Sequence, residues 1–357
     1  MRSLLKPVRI ILGLLFRLYV PSTRKFSPKL LGLMDPVWKL IVRHPTKQPM
    51  REGSFGVEKI AVLDCSFPRI FKGEGIPIDA VVVTSLEGSF VLELTLKGIR
   101  LGLGRSLRKI FLVVPDSEIN LFSSYQAPDV EIINDSKVLT YKVLRRIQEK
   151  VPSQRVGWTV QQVIKLGFLY TNLTEGNSIL IVDADTILLN ENTWLDTHGR
   201  QLLSISEEYH HPYQSHFERF LNLKREDLVK FRLPFSFVTH HGLFQKHLIS
   251  DLLDISTNQE FETGILRWID AIDSDLDGDS FCCEWHSYGT YNIVKNPNSF
   301  RIKGWRNAVF TLTGLRNEFG RSLSEIEIRE LQERFPYANS ISLHWYLDQP
   351  KIHGEEG

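Results

Sequence analysis

Short apolar runs, closed by polar or glycine-marked turns, alternate along the middle of the chain with longer stretches of helical period. Ile78-Asp-Ala-Val-Val-Val-Thr84 reads as a buried strand ending in polar Thr84-Ser85, and about Phe90 to Leu103 as a helix. Lys109 to Pro115 is a second strand, stopped by proline, and Val130 to Ile133 a third. A helical pattern from Trp158 to Tyr170 leads into the β-branched run Ile179 to Val182, bounded by Gly176-Asn177. Strands that alternate with helices predict an α/β fold with a Rossmann-type, mostly parallel sheet flanked by helices. Beyond residue 190 the pattern is more mixed, with strands expected near Leu202 to Ile205 and Phe235 to Thr239. We expect a single folded body over 57–357, divided into an earlier half (75–190) and a later half (191–357).

The first 56 residues differ in character. Residues 1–50 hold ten Lys or Arg and one acid, Asp35, so of totals of 43 basic and 42 acidic residues the remainder keeps 33 and 41. A positive head is thus joined to a negative body, an arrangement suited to an anionic surface met by the head alone and poorly suited to nucleic acid. Pro7 opens and Pro21 closes a predicted amphipathic helix, with Arg9 and Arg17 on one face and Val8, Ile11, Leu12, Leu15 and Leu18 opposite. At about 21 Å it falls short of the ~30 Å hydrocarbon core, so residues 2–21 are expected to lie on an anionic membrane surface. Residues 21–56, rich in Pro and Gly, read as a tether. Three cysteines, Cys65, Cys282 and Cys283, form no disulfide framework, which fits a reducing cytosol. The expected location is therefore cytoplasmic, peripheral on the inner face of the membrane.

The chemistry centres on Asp183-Ala-Asp185, at the end of the Ile179–Val182 strand. Side chains alternate along a strand, so the two carboxylates leave it on one side while Ala184 points away. Acids at the carboxyl edge of an α/β sheet stand where such sheets bind ligands, and their hard oxygens suit Mn2+ or Mg2+ bridging phosphates.

The segment Ile179-Leu-Ile-Val-Asp-Ala-Asp-Thr-Ile-Leu-Leu-Asn190 resembles the D-x-D motif of nucleotide-sugar glycosyltransferases of the GT-A superfamily. The helix Gly157 to Leu166 resembles that family's helix before the motif strand, and the segments Ser236 to Phe244 and Glu284 to Gly289 resemble a bacterial branch of the same superfamily. The resemblance covers about Asp79 to His344. It implies a GT-A-like fold and a metal-dependent hexosyl transfer from a nucleotide diphosphate sugar, most readily a UDP-sugar, to a glycan or lipid-linked acceptor. The earlier half then holds the nucleotide sugar and the later half the acceptor. It also implies that Asp183 reaches the ribose or the metal, that Asp185 chelates the metal, and that a C-terminal histidine completes the set, for which His344 stands at the end of an apolar alternation. Thr84 matches the point where the family begins to hold the nucleotide.

Further candidates come from the residues themselves. Gln161 and Lys165, four apart on one helix face, are candidate substrate contacts, and the lysine can reach phosphate. Of His240 and His241, which are expected to follow the Phe235–Thr239 strand, one faces the cleft. Glu284 is the expected general base, with Tyr288 of the same segment a substrate contact. That segment departs from the resembled branch in carrying His286 where a second acid is usual. Asp273-Ser-Asp-Leu-Asp-Gly278 with Glu284 also fits the EF-hand spacing, but Ser287, Gly289 and Thr290 make a poor exit helix. Aromatics and histidines from Tyr209 to Phe220 suggest a sugar-stacking surface, since no spacing there matches a zinc template. Arg301 to Arg306, with Lys303 and Trp305, could close as a lid. The alternatives from other classes are a nucleotidyltransferase, which wants a glycine-rich basic loop that Thr84 to Ser89 lacks, and a calcium-binding protein built on Asp273 to Glu284.

Overall fold

The computed structural model describes residues 57–60 and 76–344, apart from 207, 209, 234 and 278–280. The amphipathic head, the tether and Cys65 lie outside them. Among the described residues no helix is long and apolar enough to cross a membrane.

The expected α/β class and mainly parallel sheet are present. Five strands make the central sheet: β2 (Ile78–Val83), β3 (Leu107–Val114), β4 (Val130–Asn134), β5 (Ser178–Val182) and β8 (His241–Gln245), in the order β4-β3-β2-β5-β8. The first four run parallel, and β8 closes the edge antiparallel to β5. The chain moves from β2 outward to β3 and β4, then returns to the other side of β2 as β5. That reversal leaves a crevice beyond the carboxyl ends of β2 and β5, the place where open α/β sheets take ligands.

The apolar runs are continuous because the sheet is covered on both faces. Val81, Val83, Phe111, Val113, Ile179 and Ile181 join one core, while Ala80, Val82, Ile110, Leu112, Leu180 and Val182 join a second on the opposite face. Helix α1 (Leu92–Leu103) packs on the second face. Helices α2 (Val156–Gly167) and α3 (Glu284–Lys295) pack on the first. Each of Ile179 to Val182 is wholly buried, worth about 1.5–3 kcal/mol per side chain.

A smaller sheet holds β1 (Val57–Ile60), β10 (Arg306–Phe310), β11 (Ser340–Leu343) and β6 (Thr186–Leu188), in the order β1-β10-β11-β6. A third pairs β7 (Gln201–Ser204) with β9 (Phe300–Lys303). The chain leaves the large sheet at Val182 and enters the small one at Thr186, so Asp183-Ala-Asp185 is the joint between them. Residue 190 is no seam in the sheets, since β8 from the later half completes the large sheet beside β5.

Several expected elements are corrected. Phe235 to Thr239 forms no strand: it is a buried segment tied by one bridge, Ser206 to Ser236, and the strand begins at His241. The segment holding Ser287, Gly289 and Thr290 is helical, as part of α3, because every residue from Glu284 to Thr290 is packed. Arg301 to Arg306 is no lid: it spans β9 and the start of β10, with Trp305 3% exposed.

Candidate functional site

Two strand registers bring histidines to the acidic joint. β8 runs antiparallel to β5 with His241 opposite Val182, so His240 falls opposite Asp183, whose N–H donates to the His240 carbonyl at 2.9 Å. β11 runs antiparallel to β6 with Ser342 opposite Thr186, and the Leu343 N–H donates to the Asp185 carbonyl at 2.9 Å, which sets His344 beside the motif. The rings of His240 and His344 are 5.6 Å apart.

Asp183 is engaged on both oxygens. Lys165 Nζ hydrogen-bonds Oδ1, and His240 Nδ1 lies 3.1 Å from Oδ2. Lys165 is 2% exposed, a correction to the expected phosphate-facing lysine: α2 turns it inward, where its Nζ also lies 2.8 Å from Glu284 Oε1. The Glu284 contact is an ion pair without aligned hydrogen bonds, since both Glu284 oxygens are buried and unsatisfied. The Glu284 N–H donates to Gln162 Oε1, so Gln162, and not the half-buried Gln161, is the glutamine that ties α2 to α3.

The charges shape one another. Burial works against the Lys165 cation, but Asp183 and Glu284 outweigh it and raise its pKa. Burial also opposes the Asp183 anion, yet the Lys165 charge and the His240 hydrogen bond hold its pKa down to about 2. Asp185 accepts a hydrogen bond from neither group, and their charges offset only part of what opposes its own. Burial, with the charge of Asp183 beside it, pushes its pKa up to about 7. Burial, outweighing Lys165, raises the pKa of Glu284. His240 rises well above the usual imidazole value: burial opposes its charge, but Asp183 and Glu208 face it from either side.

Glu208 is the residue that sequence reasoning missed. It follows β7, and its backbone is pinned where the Glu208 N–H donates to Ser206 Oγ at 3.0 Å and its carbonyl accepts from Ser236 Oγ. One carboxylate oxygen lies 3.4 Å from His240 Nε2 and the other 3.2 Å from His210 Nε2. Ligand atoms of Glu208, His240 and His344 all lie within 4.8 Å of one another. A glutamate directly before the histidines of 209–220 was the signal for it. Within that stretch His210 alone joins Glu208 among the histidines: His216 donates from Nε2 to the Trp268 carbonyl inside the core, and His211 contacts Ser215.

The remaining expected residues separate. Thr84, 5% exposed, ends β2 beside the crevice, with its N–H donating to the Val113 carbonyl at 3.0 Å. His241 faces away from the joint, its ring 4.2 Å from Trp305 and 5.7 Å from Trp194. So His240 is the member of the pair that faces the cleft. Tyr288 is fully buried, its hydroxyl donating to Gln201 Oε1 and accepting from the Gln245 N–H. Gln245 pairs with Ser178, at the opposite end of β5 from the acids, about 16 Å away at 3.3 Å per residue. Glu284 is wholly buried beside Lys165, so in this conformation it meets no acceptor hydroxyl and is not placed to complete a calcium loop.

The protein-family model described as "Family of unknown function (DUF6492)" matches residues 94–310, more than half of the chain. The chain belongs to this family. The match runs from α1 to the end of β10 and includes Lys165, Asp183, Asp185, Glu208, His240 and Glu284, but ends short of His344. No curated protein matches. Solved structures of similar outline include the galactosyltransferase LgtC in complex with donor and acceptor sugar analogs, at 7% identity and TM-score 0.40 over 75% of this chain and 87% of that one. Mouse xyloside xylosyltransferase 1 is 12% identical, with TM-score 0.42 over 77% of this chain and 100% of that one. The mannosyltransferase Ktr4p from S. cerevisiae is 7% identical, with TM-score 0.42 over 79% and 80%.

Does the joint suit a cation? Asp185 carries a recessed carboxylate next to a second acid, with its own pKa driven up by burial and by that neighbour. A divalent ion is the charge that such a pair calls for. Imidazoles of His240 and His344 and the carboxylate of Glu208 stand at the same corner. The donor set fits.

Proposed function

We propose that this DUF6492 chain is a metal-dependent glycosyltransferase of the GT-A type. In this reading it transfers a sugar from a nucleotide diphosphate sugar, with a UDP-sugar as first choice, to a glycan or lipid-linked acceptor. The observation that carries the proposal is Asp185: a carboxylate hydrogen-bonded by neither Lys165 nor His240, at the crevice between the carboxyl ends of β2 and β5, on the joint where the ends of β5, β8 and β11 meet. Mn2+ or Mg2+ bound there would neutralise the charge that develops on the departing diphosphate.

The chain's own residues supply the rest. Thr84 borders the nucleotide at the end of β2, with Gln161 and Asp183 nearby. Lys165, held by Glu284, keeps Asp183 ionised and fixed. Glu284 thus acts through Lys165, and the acceptor's general base is left to the crevice side of the site. The basic head, residues 2–21, is assigned to an anionic membrane surface on the cytoplasmic side, which would bring the body to a lipid-linked acceptor.

The test is a panel of nucleotide sugars with Mn2+, scored by thermal stabilisation and by release of nucleoside diphosphate. We expect one sugar nucleotide to raise the unfolding temperature only with metal, and Asp185→Ala to abolish both the shift and the release. Release of pyrophosphate would point to a nucleotidyltransferase, and unchanged turnover in Asp185→Ala would sink the proposed site. Deleting residues 2–21 should release the protein from vesicles containing anionic lipid.

A further inference from the structure

We propose that Glu208, His240 and His344 form a transition-metal site of their own, with Asp183 serving as the carboxylate that orients His240. The inference rests on the reading above only for the use to which the ion is put. It changes the role of Asp183 from metal ligand to support, and it names a class of metal.

Four observations carry it. The three ligand atoms lie within 4.8 Å of one another, where a tetrahedral ion with bonds of about 2.1 Å needs them about 3.4 Å apart, a closure of side chains alone. They come from three separate elements whose backbones are fixed: the segment after β7 by Ser206 and Ser236, the start of β8 by its register with β5, and the end of β11 by its register with β6. His240 Nδ1 lies 3.1 Å from Asp183 Oδ2 while Nε2 points at Glu208, the carboxylate–histidine–metal arrangement in which the outer carboxylate fixes tautomer and ring direction. Finally, His240 is held in the left-handed region at φ 61°, a costly backbone state for a non-glycine residue that aims its ring into the corner.

Two imidazoles and one carboxylate favour Zn2+ or Co2+ over Mg2+ and Ca2+, which prefer all-oxygen shells. Three protein ligands would leave a fourth position for water or a substrate oxygen.

The experiment uses the full chain, stripped with a chelator and titrated with Co2+ while visible absorption is recorded, then with Zn2+ in competition. One equivalent should bind, and millimolar Mg2+ should leave the Co2+ spectrum unchanged. Glu208→Gln and His344→Ala should each weaken Co2+ binding at least about 100-fold, and Asp183→Asn about 10–100-fold, the range for an outer-shell partner. His211→Gln, which contacts Ser215 outside the corner, should stay within about threefold. Unfolding temperatures measured in chelator, matched to the parent chain, identify variants that fold, and His344→Gln replaces His344→Ala if the latter does not. Full Co2+ binding in folded Glu208→Gln and His344→Ala would overturn the proposal, as would displacement of Co2+ by equimolar Mg2+. Metal bound as described, with no sugar nucleotide turned over, would refute the transferase and leave this site standing.

Discussion

Lys165 is a buried cation between two acids, and its position shows how a single residue can hold the corner together. Its side chain is 3% exposed, Glu284 beside it is fully buried, and Asp183 is 18% exposed. Removing one member of a buried ionic group leaves the others uncompensated, at a cost of about 3–5 kcal/mol. Lys165→Met should therefore lower stability by that order in urea unfolding. The double variant Lys165→Met, Glu284→Gln should recover part of the loss, because one of the stranded charges is gone. A loss below 1 kcal/mol would mean that water reaches the site and the pair is not desolvated. None of this was legible from the helical pattern, which placed Gln161 and Lys165 on one face but could not say that the face turns inward.

Helix α3 illustrates the same limit for an element. Ser287, Gly289 and Thr290 weaken its local preference, and the helix forms because its first seven residues are packed on all sides. Gly289 sits where an added Cβ would come within 2.1 Å of the Phe237 ring. Gly289→Ala should gain about 1 kcal/mol in helix propensity but lose more to overpacking, for a net loss of about 1–2 kcal/mol by chemical denaturation. A stabilised variant would show that the Phe237 segment yields. That segment reads as a strand from its apolar residues alone, but among the described residues its backbone pairs only at Ser236, and the strand signal belongs to the residues after His240. Where the apolar pattern was long and bounded by turns, as at β2, β3 and β5, the expected strands coincide with the observed ones to within about two residues. Such runs are buried on both faces whatever they pack against, which is why they could be read locally.

Over the whole molecule, buried neutral histidines contribute to the loss of stability in acid. Burial lowers the pKa of His216 to about 3 and that of His286 to about 4, from an ordinary 6.5. Below pH 6.5 the unfolded chain binds protons that the folded chain refuses, so stability is complete above that pH and is lost as pH falls toward 4 and then 3. Each such histidine contributes a slope of about 1.4 kcal/mol per pH unit within its window. His286→Gln, which keeps a donor for Gln214, should flatten the fall in unfolding temperature between pH 6.5 and 4.5, and an unchanged slope would exclude His286 as a source.

Sequence alone determined the α/β class, the order of the main strands and the position of Asp183 and Asp185 at a strand end. These follow from local periodicity and from the alternation of side chains along a strand. Only the tertiary structure decided what surrounds the acids. His240, Glu208 and His344 arrive through two antiparallel registers and a bridge between residues far apart in the chain, and no local pattern encodes those pairings. The same holds for Lys165 and Glu284, whose role depends on burial. A charged residue written into a helix looks the same whether its face meets water or the core, and the packing of α2 against α3 is what gives this one its role.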